Sequence, residues 1–131
     1  MNKITSYKIL IWSENPDELQ KFYKDVLELE PSIKLELPDD YGYGFRISDN
    51  LGIWIGKHSE VKGKNKDPFR FIVNLYVEDV FPWYEKLKNR KDVVIVSAPF
   101  KTPPSKPEDP RYVFTFSDPE GNCLQFMNPS K

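Results

Sequence analysis

The stretch Phe116-Ser117-Asp118-Pro119-Glu120-Gly121-Asn122-Cys123-Leu124-Gln125-Phe126-Met127 reads as strand, tight turn, strand. Asp118 suits the first position of a type I turn, Pro119 presets the backbone at the second, and Gly121 suits the fourth. Beyond the turn, Leu124 and Phe126 point to one face of a strand; Cys123, Gln125 and Met127 point to the other. A hairpin alone carries no function. Its meaning comes from repetition, because Phe45-Arg46-Ile47-Ser48-Asp49 matches Phe114-Thr115-Phe116-Ser117-Asp118.

The repeat extends through the chain. In the second half, Phe71–Val77 is a predicted strand with Phe71, Val73, Leu75 and Val77 on one face and Ile72, Asn74 and Tyr76 on the other. Asp79 caps a helix carrying Val80, Trp83, Tyr84 and Leu87, with Pro82 tolerated in its first turn. Val93–Val96 is a strand. Ser97–Pro110 holds five prolines and reads as a stiff, irregular loop. Tyr112–Phe116 leads into the hairpin.

The first half follows the same order. In the strand Tyr7–Trp12, Ile9 and Ile11 share one face; Lys8, Leu10 and Trp12 share the other. Asn15, Pro16 and Glu18 form a helix start resembling a capping box. Leu19, Phe22, Tyr23, Val26 and Leu27 make one apolar helical stripe, ending near Leu29 because Pro31 disfavours helix at Glu30. Ile33–Leu37 is a half-buried strand, and Pro38-Asp39-Asp40 turns the chain. Tyr43–Ile47 and Leu51–Ile55 are strands, with Gly52, Trp54 and Gly56 on the face opposite Leu51, Ile53 and Ile55. Lys57–Pro68 is a polar linker, and His58 reads as a surface imidazole.

The reading is therefore α+β: two tandem βαβββ modules, about 1–60 and 69–131, within one domain of 131 residues. Roughly sixty residues bury too little surface to stand alone. Each helix covers the outer face of its sheet. The curved mixed sheets, set side by side, are expected to form a cup.

Composition narrows the function. Nineteen basic and 20 acidic side chains nearly cancel, so no global field draws nucleic acid or anionic lipid. One cysteine leaves no internal disulfide and fits a reducing, cytoplasmic setting. No apolar run has signal-peptide or membrane-span length. Aromatic residues are 15% of the chain, enough both to fill a core and to line a pocket for flat ligands.

The duplicated order, the segment Asn15-Pro16-Asp17-Glu18-Leu19-Gln20-Lys21-Phe22-Tyr23 and the turn Asp118-Pro119-Glu120-Gly121-Asn122 together resemble the vicinal oxygen chelate superfamily. That superfamily includes glyoxalase I, extradiol dioxygenases, fosfomycin-resistance enzymes and bleomycin-resistance proteins. The resemblance covers almost the whole chain. It implies the paired βαβββ fold, and in the enzymes a divalent ion held by His, Glu or Gln from the first and last strands of each half. Aligning the motifs puts Lys8, Trp54, Ile72 and Gln125 in those four slots. Only Gln125 has an easy donor atom, and shifting the register by one brings in no better ligand. The expectation is no metal and no cofactor.

What remains for the cup is Lys8, Leu10, Trp12, Trp54, Ile72, Asn74, Tyr76 and Gln125. Of these, Lys8, Trp12, Trp54, Asn74, Tyr76 and Gln125 are the candidate ligand-binding residues. Lys8 is costly to bury without a partner. Asn74 and Gln125 each need hydrogen bonds, and Trp12 and Trp54 can flank a flat ligand.

Three functions compete. The first is a metal-independent small-molecule binding protein that sequesters an antibiotic or aromatic metabolite. The resemblance implies that it is a homodimer, with the turn at 38–44 and the loop at 97–110 bordering the opening. The second is an enzyme with a non-standard site centred on Lys8 and Gln125. The third is a regulatory or assembly module with a filled cup.

Overall fold

The computed structural model describes residues 2–103 and 105–129. The chain divides into two compact units, Met1–Gly63 and Lys64–Lys131.

In the first unit, β1 (Tyr7–Ser13) leads into α1 (Pro16–Leu27), followed by β2 (Ile33–Leu37), β3 (Asp40–Ser48) and β4 (Leu51–Lys57). The sheet order is β1-β4-β3-β2, with β1 parallel to β4 and the other pairs antiparallel. In the second unit, β5 (Val73–Tyr76), α2 (Val80–Leu87), β6 (Val94–Lys101), β7 (Tyr112–Ser117) and β8 (Cys123–Met127) repeat that plan as β5-β8-β7-β6. Again the first strand joins the last in parallel. The expected α+β pair of βαβββ modules is the observed fold.

Period-two and period-3.6 patterns meet at each helix–sheet contact. Leu19, Phe22, Tyr23 and Val26 of α1 are buried, as are Ile11, Phe45, Ile53 and Ile55 of the sheet. The second unit has an aromatic core. Phe114, Phe116 and Phe126 lie 5.6–5.7 Å apart by ring centroid, and Trp83 of α2 stacks on Phe126 at 4.7 Å.

The Asp118 turn forms as read. Gly121 N–H donates to Asp118 O at 3.0 Å, and Gly121 takes φ 83°, a conformation open to glycine. The buried Asp118 carboxylate accepts from Glu120 N–H (2.8 Å), Asn122 N–H (3.0 Å) and Asn122 Nδ2 (2.9 Å).

Several local expectations are corrected. The Asn15 side chain makes no cap; Ser13 Oγ instead accepts the Asn15 N–H at 2.8 Å, and Glu18 pairs with Lys21. A short buried hydroxyl upstream thus replaces the capping box, whereas Asp79 does accept the Phe81 N–H, at 3.1 Å. Helix α1 stops at Leu27, because Glu28 turns left-handed (φ 58°) and Leu29 N–H closes on Lys24 O.

Strand β5 starts at Val73, leaving Phe71 and Ile72 outside it and exposed. Strand β6 runs through Pro99 to Lys101, where a loop was expected. It is the sheet edge, and register shifts bracket the proline, which is where a strand tolerates a missing N–H. Residues 102–111 then close on themselves through Thr102 N–H to Arg111 O (2.8 Å) and a Lys106–Asp109 bridge. Pro104 lies outside the described residues.

Candidate functional site

The helix-free face of the first sheet has a floor with few side chains. Strand alternation sends Tyr41 and Tyr43 toward α1, where both hydroxyls donate to Asp17 Oδ1 at 2.6 and 2.7 Å. These bonds, Tyr41 first, hold the Asp17 carboxyl below its ordinary range and raise the Tyr41 hydroxyl. The same alternation sends Gly42 and Gly44 to the open face. Their cross-strand partners there are Gly56 and Trp54, and Gly52 stands one row away. Four of the chain's six glycines therefore lie on one face of one sheet.

The glycines seat the Trp54 indole. A Cβ at Gly42 would come within 2.8 Å of Trp54 Cζ2, and one at Gly56 within 2.9 Å of Trp54 Cδ1 and 2.8 Å of Trp12 Cζ3. Trp54 lies flat and is only 7% exposed. Trp12 stands one row along, edge-on to His58 at 5.4 Å. The two tryptophans are on paired strands, with Leu10 opposite Trp54 and Trp12 opposite Gly56.

This arrangement predicts an order of damage. Gly42→Ala costs about 1–3 kcal/mol, because its new methyl also meets backbone (Gly56 Cα at 2.7 Å), which cannot rotate away. Gly56→Ala costs less, since it meets only side chains. Gly44→Ala is nearly neutral: its tight contact is the exposed Ile33, and alanine restrains the unfolded chain better than glycine. Urea denaturation of the three variants would reject the seat if Gly44→Ala were the most damaging.

Around the floor, Lys8, Leu10, Trp12, Ile33, Leu35, Asp40 and Trp54 line a hollow of about 290 Å³. A second hollow of about 490 Å³ adjoins it, sharing Trp12 and Asp40 and extending to Pro38, Asp39, Lys57 and His58. Four cup residues expected from sequence, Lys8, Leu10, Trp12 and Trp54, thus share one hollow. Lys8 is exposed, so the burial cost expected for it does not arise.

Two parts of this site escaped the sequence reading. Asp40, a turn residue by sequence, begins β3 and lines both hollows. The sequence places the start of this strand at Tyr43, whereas Tyr41 and Gly42, read only as part of the 38–44 turn, already belong to β3. The alternation Tyr-Gly-Tyr-Gly was the available signal for the floor.

The second sheet differs at the equivalent row. Ser97, Thr115, Gln125 and Asn74 are successive cross-strand partners over all four strands. Thr115 Oγ1 donates to Gln125 Oε1 (3.3 Å), and Gln125 Nε2 donates to Asn74 Oδ1 (3.2 Å). The hydrogen bonds that Gln125 and Asn74 were expected to seek from a ligand are partly made between them. Tyr76 follows on β5, opposite Met127, and is exposed. In the first sheet the same row reads Ile33, Gly44, Trp54, Leu10. One module is apolar where the other hydrogen-bonds.

The four metal slots do not supply a donor set. Lys8 is a cation, the Trp54 indole has no available lone pair, and Ile72 is a hydrocarbon outside β5. Gln125 is engaged on both sides. Among the described residues no group of three or more His, Cys, Asp or Glu gathers elsewhere. Cys123, the one cysteine, is buried, and burial pushes its thiol up. Among the described residues, no helix is long and apolar enough to cross a membrane.

Solved structures share this fold. Lactoylglutathione lyase from Agrobacterium tumefaciens has a TM-score of 0.65 at 18% identity, covering 97% of this chain and 95% of its own. A glyoxalase family protein from Bacillus anthracis gives 0.67 at 21%, covering 100% and 99%. UcmS2 gives 0.72 at 18%, covering 98% and 100%. No curated protein matches by sequence. The family profile described as Glyoxalase/Bleomycin resistance protein/Dioxygenase superfamily matches residues 6–126, and the chain belongs to that family.

Proposed function

We propose that the protein binds a flat, largely apolar small molecule on the open face of its first sheet without a metal ion, and sequesters it unchanged. The observation that carries this reading is the glycine floor. Gly42, Gly44 and Gly56 withhold side chains from the centre of the face, Gly52 does so one row away, and Trp54 occupies the central space. Leu10, Ile33 and Leu37 beside it are about half exposed (51%, 50% and 53%), so the protein's own side chains do not fill the face as a second core. An aromatic wall with few polar groups is the common make-up of a small-molecule pocket.

The lyase named among the structural neighbours offers a different precedent, but the four slots here lack the donors that metal chemistry requires. An enzyme using Lys8 as a base loses support too, because Lys8 is not enclosed by apolar groups.

Titration with aromatic antibiotics and with 8-anilinonaphthalene-1-sulfonate, read by tryptophan fluorescence, tests the proposal. Trp12 and Trp54 report on the face, while Trp83 adds a constant signal from the other unit. Saturable quenching in the presence of EDTA is expected. Saturation that requires added nickel or zinc would overturn the metal-free reading.

A further inference from the structure

The open face of the first sheet is charged at both ends and uncharged between them. At one end, Lys8 and Arg46 flank Gly52 in a single cross-strand row. Then come two rows without charge: Leu10, Trp54, Gly44 and Ile33, followed by Trp12, Gly56, Gly42 and Leu35. At the other end, Asp40 stands opposite Leu37, with Asp39 beside it on the adjoining hollow. Six residue steps along β3 lead from Asp40 to Arg46, about 20 Å of backbone.

Neither Lys8 nor Asp40 has an ion pair or a side-chain hydrogen bond among the described residues. The Arg46–Asp49 pair is loose, at 3.9 Å. Lys57 and His58 line the second hollow together with Asp40 but do not pair with it. Both unpaired charges line the hollow that Trp54 floors.

We infer that the ligand is an elongated, dipolar aromatic: an anionic group at the Lys8 end, a basic nitrogen at the Asp40 end, and a flat apolar body across the Trp54 floor. This rests on the small-molecule reading above and narrows its chemistry. A ligand with one charge leaves the opposite end solvated but unmatched. A neutral one uses only the floor. The two hollows, of about 290 and 490 Å³, share Trp12 and Asp40 in their linings.

Four probes of one shape separate the contributions. They are 4′-aminomethylbiphenyl-4-carboxylate, its methyl ester (cation only), 4′-methylbiphenyl-4-carboxylate (anion only) and 4′-methylbiphenyl-4-carboxamide (neutral). Affinities are read by tryptophan quenching at low salt, where partly exposed charges count most. The dipolar probe should bind about fivefold tighter than either singly charged one, near the upper limit for exposed ion pairs. Lys8→Met should reduce dipolar binding to the cation-only level and leave the cation-only probe unchanged. Asp40→Asn should do the reverse with the anion-only probe.

If the neutral probe binds as tightly as the dipolar one, the charge pairing is wrong and the apolar pocket stands. If none of the four quenches, both fail. If Lys8→Met weakens all four equally, Lys8 acts by packing and the inference also falls.

Discussion

Phe126→Ala lowers the stability of the second unit by about 3–5 kcal/mol, the range for deleting a fully buried aromatic ring. Phe126 is 1% exposed and sits at the centre of an aromatic set. Phe114 and Phe116 pack on it at 5.6 Å, and Trp83 stacks at 4.7 Å. The ring is one of three aromatic sheet partners of α2, beside Phe114 against Tyr84 at 5.4 Å and Tyr112 against Phe81 at 5.0 Å, and the eight residues of α2 cannot hold a helix without tertiary support. Alanine would leave a cavity bounded by rigid rings, which collapse poorly. Phe126→Leu keeps most of the volume and should cost about 1.5 kcal/mol or less. Chemical denaturation followed by Trp83 fluorescence measures both. A loss under 1.5 kcal/mol for Phe126→Ala would mean that α2 is anchored elsewhere.

Asp118→Ala should cost about 3 kcal/mol. Three donors share the buried carboxylate, and hydrogen bonds to a charged acceptor are each worth about 1.5–3 kcal/mol before non-additivity is counted. The loss reaches beyond the turn. Asn65 donates its N–H to Glu120 O (2.8 Å) and its Nδ2 to Asn122 Oδ1 (3.0 Å), so the start of the second unit is tied to the same loop. Asp118→Asn keeps one acceptor oxygen and should recover part of the loss. Equal stability of the two variants in thermal melts would overturn this, because it would mean that the aspartate shape with one remaining acceptor contributes nothing and the full carboxylate is required.

The fold was legible because its signals are local. Pro119 and Gly121 each demand a particular backbone, and the stripe Leu19-Phe22-Tyr23-Val26 admits one period. Errors came where tertiary context outweighed local preference. Pro99 looked like loop but is accommodated at a sheet edge beside a bulge. Asn15 looked like a cap, yet Ser13, two residues earlier and fully buried, does that work.

The site was half legible. Alternation placed Lys8, Leu10, Trp12 and Trp54 on a common face, and the structure groups them around one hollow. Asp40 was missed because a Pro-Asp-Asp run looks like a turn whether or not its last residue starts a strand. The Thr115–Gln125–Asn74 bonds were missed because Gln125 was weighed as a free ligand rather than against its cross-strand neighbours. Register decides that, and sequence alone does not supply it.

The Trp54 seat also limits how this face can change by descent. While the indole is in place, a side chain at position 56 meets it directly, so that glycine is held there by its neighbour. Shrinking Trp54 first would remove most of the crowding at position 56 and leave only Trp12 Cζ3, at 2.8 Å, to give way; the reverse order passes through a more crowded intermediate. Position 42 stays closed in either order, because the Ile55 and Gly56 backbone blocks it. Substitution is therefore accommodated more readily at the rim, at Lys8, Leu10, Ile33 and Asp40, than on the glycine floor.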